Sequence, residues 1–417
     1  MFDILVIGGG LSGVCSAIAS ARLGKKTLLV EKYNSLGGTA SFGLVIPFMY
    51  YQTQSRPLGE NISLCGGIFK EIVARMKELG GTLEGWDECF NEEILKLVLN
   101  RMCQESGVEL LFNTHLVSAK NENGTIKSVE VSNISGKKTL YADYFIDATG
   151  DGNLAFLSGF DFMLGRESDS LCQPMTLSFR LANVDIPLFR KEEKKIQELY
   201  KKHKDEGKIM CPRENLLIFE TTVDKMLHFN TTRVIKLNPT IDTELTKAEL
   251  EGREQVFEIY SFLKSNFDAF KNSSLVSTGM QIGIRESRRV LGEYVLRVDE
   301  IKSCARFHDA IATCNYDIDI HSPDGEGTSH YYFPSGDYYE IPYRCLVPKG
   351  AKNLLVAGRC ISCDHETQAS LRIMPTCASV GESAGTAVAM CHSAKCDVLN
   401  VDIKRLQEEL IKNKCML

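Results

Sequence analysis

A glycine-rich segment near the start of the chain has the residue types and spacing to hold a phosphate. Gly8, Gly10 and Gly13 fit the pattern G-x-G-x-x-G. In this pattern the first glycine permits a tight turn, the second lets the backbone approach a pyrophosphate, and the third lets a helix pack closely on a strand. The N-terminus of the following helix offers N–H groups to an anion. Glu31, further along, can accept hydrogen bonds from ribose hydroxyls and would repel a 2′-phosphate.

The segments on either side of the glycines have the character of the elements that would position them. Phe2–Ile7 is apolar, as in a strand buried on both faces. Leu11–Leu23 is rich in small residues at helical spacing, Gly24 is suited to end a helix, and Thr27–Val30 is a second strand. Because strand, turn, helix, strand and acid occur in this order, the sequence predicts a dinucleotide-binding βαβ unit over the first ~40 residues.

A second group with chemical potential is the charged cluster Arg285, Glu286, Arg288 and Arg289. On a helix, Arg285 and Arg289 would share one face. An arginine here could grip a carboxylate in a bidentate manner or act as an electrophile, and Arg285 is the preferred catalytic candidate. The alternative, which stays open, is that Glu286 pairs with an arginine and serves only the fold.

Composition limits the classes of function. The chain has 417 residues, enough for about two or three domain-sized units, and 44% of them are hydrophobic. A net charge of −6 without a basic cluster argues against a nucleic-acid partner. The fifteen cysteines are scattered and no signal peptide is apparent, which favours the reducing cytoplasm. No run of about 18 apolar residues occurs, so no membrane span is expected.

Further motifs resemble the FAD site of the glutathione-reductase-like flavoprotein superfamily. They are the glycine pair Gly37-Gly38 after Glu31, the segment Tyr144–Asp151 (YFIDATGD) and the strand-and-turn segment Asn353–Arg359. The resemblance implies FAD as the cofactor and an α/β fold, with a Rossmann-like parallel sheet, helices and an antiparallel β-meander. Arg359 departs from the pattern, since many relatives have an aspartate there, so its contact with ribityl or phosphate oxygens is left open.

The resemblance also implies a set of FAD contacts. They are Gly8, Gly10, Leu11, Ser12, Gly13, Glu31, Lys32, Gly38, Thr39, Ala40, Ser41, Val117, Thr149, Gly150, Asp151, Gly358, Arg359, Met374, Pro375 and Thr376. A helix starting at Met374-Pro375 would aim its N-terminus at the flavin pyrimidine and stabilise negative charge on the reduced ring. An ordinary buried helix is the alternative.

Three longer segments resemble a broad bacterial family of FAD-dependent oxidoreductases. They are Cys172–Arg180, Gly283–Gly292 and the stretch from Ile341 to Gly385. The resemblance extends over the whole chain and implies an FAD-binding domain of residues 1–165 and 340–417, interrupted by an inserted α+β substrate domain of residues 166–339. Only one dinucleotide fingerprint is present, so a separate nicotinamide-binding domain is not expected, and the electron partner is not identified.

Several secondary-structure elements can be placed from pattern and charge. Strand candidates are Val108–Asn113, Thr125–Val131, Thr139–Ile146 and Met175–Leu181, and charged surface helices are predicted at Lys191–Lys208 and Asp402–Lys412. The loop of residues 321–343 is rich in histidine and tyrosine. It could form the aromatic wall of a substrate pocket or a contact between domains.

In the same superfamily the loop after the last flavin strand passes near the isoalloxazine. His365 in this loop could exchange protons near neutral pH, with a structural hydrogen bond as the alternative, and Arg372 could hold an anionic substrate. Cys360 and Cys363 form C-x-x-C, but disulfide reductases carry their cysteines just after the first glycine pair, which favours packed thiols here. Glu366 follows His365 without the second histidine of a zinc motif, so no metal is expected.

These features predict an FAD-dependent oxidoreductase that transfers a hydride between flavin N5 and a C–H bond of a small organic substrate. Arg285, His365 and Arg372 are its candidate catalytic residues. One alternative is a flavin-dependent monooxygenase. Another is a flavoprotein with a scaffold or RNA-modification role, although the acidic net charge argues against RNA.

Overall fold

Strands and helices alternate at the start of the chain, as the glycine pattern predicts. A computed structural model describes residues 1–53, 62–325 and 327–417. Its strands are β1 Phe2–Ile7, β2 Thr27–Val30, β3 Thr82–Leu83, β4 Trp86–Phe90, β5 Glu109–Leu111, β6 His115–Glu122, β7 Thr125–Asn133, β8 Gly136–Leu140, β9 Ala142–Asp147, β10 Phe162–Leu164, β11 Phe179–Ala182, β12 Ile218–Glu220, β13 Leu227–Phe229, β14 Ser274–Thr278, β15 Arg288–Val290, β16 Ala310–Cys314, β17 Ile318–His321, β18 Thr328–Tyr331, β19 Tyr339–Pro342 and β20 Leu354–Val356. Its helices are α1 Leu11–Arg22, α2 Gly67–Glu78, α3 Glu92–Glu105, α4 Asn153–Leu157, α5 Ile186–Asp205, α6 Asp242–Asn266, α7 Val298–Lys302, α8 His365–Leu371, α9 Met374–Ala394 and α10 Ile403–Lys412.

A five-stranded parallel sheet carries the glycine-rich turn. Its strand order is β20-β9-β1-β2-β5. The strands β1, β2 and β9 are largely buried, as expected for a parallel sheet covered on both faces. Helix α9 packs against α1 so closely that a Cβ on Gly381 would lie 2.2 Å from the carbonyl oxygen of Ser12. The predicted α/β class is confirmed.

An antiparallel meander of β6, β7 and β8 follows the third strand of the parallel sheet in the chain. The prediction of a single strand at Thr139–Ile146 is wrong. The segment divides at Tyr141 into β8, which closes the meander, and β9, which pairs with β1 in the parallel sheet. One continuous apolar-rich stretch therefore serves two sheets, and periodicity alone could not locate the division.

A second hydrophobic core lies within residues 175–284. It is built on the antiparallel sheet β12-β13-β11-β14 and on helices α5 and α6. The strand expected at Met175–Leu181 is shorter and later, at β11, and the charged helix expected at Lys191–Lys208 begins earlier, at Ile186. Residues of β16 and β19 pack in the first core, with the parallel sheet. The division into domains at residues 165 and 340 remains a prediction.

The cluster at residues 285–289 is not helical, which corrects the assumption that Arg285 and Arg289 share a helix face. Residues Arg288–Val290 form β15, which pairs antiparallel with β10. In an extended chain neighbouring side chains point to opposite faces, so the arginines of the cluster separate into different environments. Within the described ranges, no helix is both long enough and apolar enough to cross a membrane.

Candidate functional site

One cavity of about 470 Å³ lies at the carboxyl ends of β1, β9 and β20. Gly8, Ala148 and Gly358, which follow these strands, line one side of it. Arg213 and Arg285, which come from the region of the second core, line the other side. Ligands of open parallel sheets bind at this edge, so the cavity lies where the glycine motif predicts a cofactor.

Two glycine segments form a cradle at the sheet end of the cavity. A Cβ on Gly8, whose φ is +103°, would lie 2.5 Å from the carbonyl oxygen of Ala148, and a Cβ on Gly38 would lie 2.8 Å from Cα of Gly10. Gly10 is the N-cap of α1 and provides no side-chain cap, so first-turn N–H groups of the helix face the cavity beside Ser12. Backbone this close and this rich in N–H donors fits a pyrophosphate.

Glu31 lies next to the cradle at the end of β2. Its carboxylate accepts hydrogen bonds from the backbone N–H groups of Gly9 and Tyr33, at 2.5 and 2.9 Å. Each carboxylate oxygen has a further lone pair, and Glu31 lines the cavity together with Lys32. The backbone bonds hold the carboxylate in place at the edge of the cavity.

Asp151 and Arg359 form an ion pair in the middle of the cavity, with 2.6 Å between Oδ1 and Nη2. Ser287 donates a second hydrogen bond to the same oxygen at 2.7 Å. Burial opposes ionisation of Asp151, but Arg359, Ser287 and Lys32 together lower the pKa of the carboxyl below its usual value. Arg359, whose contact the sequence left open, is thus paired with a carboxylate and also lines the cavity.

Most of the predicted cofactor contacts line this cavity. Those that do are Gly8, Gly10, Leu11, Ser12, Glu31, Lys32, Gly38, Thr39, Thr149, Gly150, Asp151, Gly358, Arg359 and Met374. Those that do not are Gly13, Ala40, Ser41, Val117, Pro375 and Thr376.

The residues away from the cavity have other contacts or lie elsewhere. Gly13 packs against Gly8, and Ser41 donates to the carbonyl of Leu36. Ala40, Pro375 and Thr376 are buried. Val117 lies on β6 with 36% of its surface exposed. A residue that neighbours a lining residue in the chain, such as Gly13 or Pro375, therefore need not line the cavity itself.

At the other end of the cavity the structure brings together Arg285 and Arg372, which lie far apart in the chain. Arg285 follows Ile284 of the second core, and Arg372 lies between Leu371 and Ile373 of the first core. Nη1 of Arg285 donates to the carbonyl of Pro174 at 2.8 Å and to Oγ1 of Thr176 at 2.6 Å. Burial lowers the pKa of both arginines, and Asp319 opposes this effect at Arg372.

His365, the third catalytic candidate, does not line the cavity. Its Nδ1 lies 2.8 Å from Oε2 of Glu286, which is fully buried and also forms an ion pair with Arg289. Arg289 in turn donates to the carbonyls of Cys363 and Gly165. The structure therefore favours the structural hydrogen bond over substrate contact for His365, and it shows Glu286 paired with an arginine.

Sequence reasoning missed Arg213, Tyr316 and Asp319, which line the cavity beside Arg285 and Arg372. His321, known only as part of the aromatic loop, lies among them with Nε2 3.2 Å from Oδ2 of Asp319. Arg233, a donor only, lies 3.0 Å from Nδ1 of His321. Nδ1 therefore accepts and Nε2–H donates to Asp319. Burial lowers the pKa of His321, so the ring is neutral.

His330 of the same loop also lines the cavity, whereas none of its tyrosines does within the described part of the chain; residue 326 of the loop lies outside that part. The sequence offers no signal for Tyr316 and Asp319, because Tyr316 lies just before the short strand β17, Asp319 lies within it, and neither belongs to a motif. Arg213 lies in an irregular segment with no motif.

The sequence profile of the family described as "FAD dependent oxidoreductase" matches residues 3–410. The chain belongs to this family, and its cofactor is FAD.

Sequence comparisons with individual proteins cover less of the chain than the family profile does. A mitochondrial dihydrolipoyl dehydrogenase of Schizosaccharomyces pombe is 30% identical over 157 residues, covering 36% of this chain and 28% of that protein. A 2,4-dichlorophenol 6-monooxygenase of Cupriavidus pinatubonensis is 24% identical over 187 residues, covering 39% of this chain and 31% of that protein. The chain thus aligns with less than a third of either relative's length. A geranylgeranyl bacteriochlorophyll reductase-like structure from Thermoplasma acidophilum has a TM-score of 0.48 at 12% identity, covering 100% of this chain and 84% of that one.

Proposed function

We propose that the protein is a dehydrogenase or reductase that transfers a hydride between FAD and a C–H bond of a small organic substrate. The observation that carries the proposal is that one cavity joins the glycine cradle to the half-buried group of Arg285, Arg372 and Asp319. Bound FAD would supply the hydride acceptor or donor at N5.

The residues that would hold FAD follow from the shape of the cavity. The backbone at Gly10, Ser12 and Gly38 would contact the pyrophosphate, and Glu31 would accept from ribose hydroxyls. The N-terminus of α9 also opens on the cavity through Met374 and has no side-chain cap. Its unpaired N–H groups would stabilise negative charge on the ring. Membership of the glutathione-reductase-like superfamily is part of this proposal.

The chain's own contribution to the chemistry would be orientation and proton placement. Arg285 and Arg372 would orient the substrate. Burial raises the pKa of Tyr316, so its phenol keeps its proton at neutral pH and can donate a hydrogen bond. His321 has both ring nitrogens engaged, by Arg233 and Asp319, and would act as a positioning residue.

A flavin-dependent monooxygenase is the second candidate, because one relative that aligns with this chain is a monooxygenase. The two candidates differ in whether the flavin exchanges electrons with the organic substrate or with O2. A dehydrogenase takes a hydride from its organic substrate and a reductase gives one to it, whereas a monooxygenase takes electrons from a nicotinamide and passes them to O2.

The test is an anaerobic titration of the FAD-loaded protein with carboxylic acids, sugars, steroids and NAD(P)H, followed by the visible flavin bands. Bleaching by one organic compound without a nicotinamide is the expected result. Bleaching by NAD(P)H alone, with O2-dependent hydroxylation of an added substrate, would favour the monooxygenase. Absence of flavin bands after reconstitution with FAD would refute both.

A further inference from the structure

We infer that the substrate is a small carboxylic acid whose carboxylate binds between Arg372, Arg285 and Arg213. The inference rests on the proposed function and adds the substrate class to it. It depends on the charges, contacts and walls of the cavity end that lies away from the glycine cradle.

Positive charge exceeds negative charge at this end of the cavity. Three guanidinium groups, those of Arg213, Arg285 and Arg372, line it, together with one carboxylate, that of Asp319. Oδ2 of Asp319 accepts from Nε2–H of His321, while its Oδ1 has no hydrogen-bond partner among the described residues. A buried cation without a partner is unfavourable, so the excess charge indicates an anionic ligand.

Arg372 is the clearest case of a cation without a partner. Its Nε is buried and has no hydrogen-bond partner within the described ranges. No carboxylate oxygen of the described residues lies within 4.0 Å of a nitrogen atom of its guanidinium. Arg372 lines the cavity, so a ligand there could supply the missing acceptor.

Arg285 is held so that part of its guanidinium stays available. Nη1 is fixed by the carbonyl of Pro174 and by Oγ1 of Thr176, while Nε and Nη2 have no acceptor in the part of the chain described by the structure. These two nitrogens form an edge that matches the two oxygens of a carboxylate. Arg213, which is 6% exposed, adds a third positive charge, and its Nε is 3.7 Å from Glu214.

The remaining walls favour a carboxylate on an organic body over inorganic phosphate. Leu217, Phe219, Ile282 and Ile284 line the same cavity and would contact apolar carbon. The carboxylate of Asp319 would repel a doubly charged phosphate more strongly than a singly charged carboxylate. A carboxylic acid satisfies both the arginines and the apolar walls.

The test uses the FAD-loaded protein and three matched pairs of probes: acetate and acetamide, succinate and succinamide, and benzoate and benzamide. Binding is followed by the change in the visible flavin spectrum, which gives a Kd. At least one acid should bind ten times or more tightly than its amide. Arg372→Met and Arg285→Met should each weaken that acid tenfold or more, and Arg372→Lys should weaken it less than Arg372→Met.

Arg253→Met is the control, because Arg253 lies on α6 with 47% of its side chain exposed and should leave the Kd unchanged. The FAD content of each variant shows whether it is folded, and the acid–amide comparison in the unaltered protein stands without any variant. Equal binding of acids and amides, unchanged Kd values in both variants, or tighter binding of inorganic phosphate would overturn the inference.

The two proposals can fail separately. Acid binding that depends on the arginines, without any compound that reduces the flavin, would refute the proposed hydride transfer and support the carboxylate site. Reduction of the flavin by a neutral compound, with no preference for acids, would support hydride transfer and refute the carboxylate site.

Discussion

Gly13 and Gly8 are in such close contact that a Cβ on Gly13 would lie 1.8 Å from the carbonyl oxygen of Gly8. Gly10, between them in the chain, has a different environment, because its added Cβ would meet only Cα of Gly38, at 3.9 Å. One motif thus contains a glycine needed for packing and a glycine that leaves room at the cavity.

Gly10→Ala should therefore fold but bind FAD weakly, whereas Gly13→Ala should be destabilised. The methyl group at residue 10 would occupy the space predicted for the pyrophosphate, and we expect a rise in the Kd for FAD of at least about tenfold. The methyl group at residue 13 would overlap the Gly8 carbonyl and cost about 3 kcal/mol. Flavin fluorescence and urea unfolding of the apo-protein measure the two effects, and equal behaviour of the two variants would contradict this assignment.

The buried ion pair of Glu286 and Arg289 should be strongly coupled. Both side chains are at most 3% exposed, so Glu286→Gln should cost about 3–5 kcal/mol by leaving a buried cation without a carboxylate. Glu286→Gln combined with Arg289→Met should cost clearly less than the sum of the single changes. Urea unfolding at pH 7 of the native protein, the two single variants and the double variant gives the free energies of unfolding for this double-mutant cycle. The more exposed pair of Arg22 and Glu71 is the control, and its coupling energy should be below about 1 kcal/mol. Additive effects of the changes at Glu286 and Arg289 would show that these two residues are not coupled.

His228 should make stability depend on pH. It is fully buried on β13, and burial, with a smaller effect of Arg180, lowers its pKa from 6.5 to about 3. Between these values the unfolded chain binds a proton that the folded chain does not, so stability is complete above pH 6.5 and falls as the pH decreases. At pH 5 the loss should be about 2 kcal/mol.

Urea unfolding of the native protein and of His228→Phe at pH 7.5 and about pH 5 measures this contribution. The variant should lack that part of the pH dependence, because phenylalanine does not titrate. His308→Gln is the control, since that side chain is 80% exposed. The same pH dependence in the native protein and in His228→Phe would assign the effect to other groups.

Cys360 and Cys363 should not store electrons. Both thiols are fully buried and unpaired, and burial raises the pKa of each far above its usual value, so neither is a reactive thiolate. An anaerobic dithionite titration should consume one two-electron equivalent per FAD, both in the native protein and in the double variant Cys360→Ser, Cys363→Ser. A second equivalent that disappears in the double variant would show a redox disulfide.

The parts of the fold that could be predicted from the sequence are those fixed by local pattern. The βαβ unit from Phe2 to Glu31 needs only apolar periodicity and glycines at fixed spacing, and it forms as predicted. The split at Tyr141 and the extended chain at Arg288 are set by pairing with β1 and β10, which lie far away in the sequence. Such pairing overrides local propensity.

The candidate site likewise has a part that local sequence pattern predicts and a part that only tertiary packing brings together. The glycine cradle could be predicted from the sequence because Gly8, Gly10 and Glu31 lie in one short segment with a known geometry. Tyr316 and Asp319 carry no motif and meet Arg285 and Arg372 only through tertiary packing. His365 was misplaced because its position in the chain, close after β20, does not determine which side of the backbone its ring occupies.

The contact of α1 with α9 joins segments that are far apart in the chain, since Oγ of Ser12 donates to the carbonyl of Cys377, 365 positions later. Strand β20 likewise joins β9 long after β9 has been made. During synthesis from the N-terminus, β20 and α9 are made long after the glycine turn, so the turn lacks these partners until they emerge. Loop closure over this length is slow. The cradle should thus be among the last parts to mature, so nascent chains that end before residue 354 should not retain FAD.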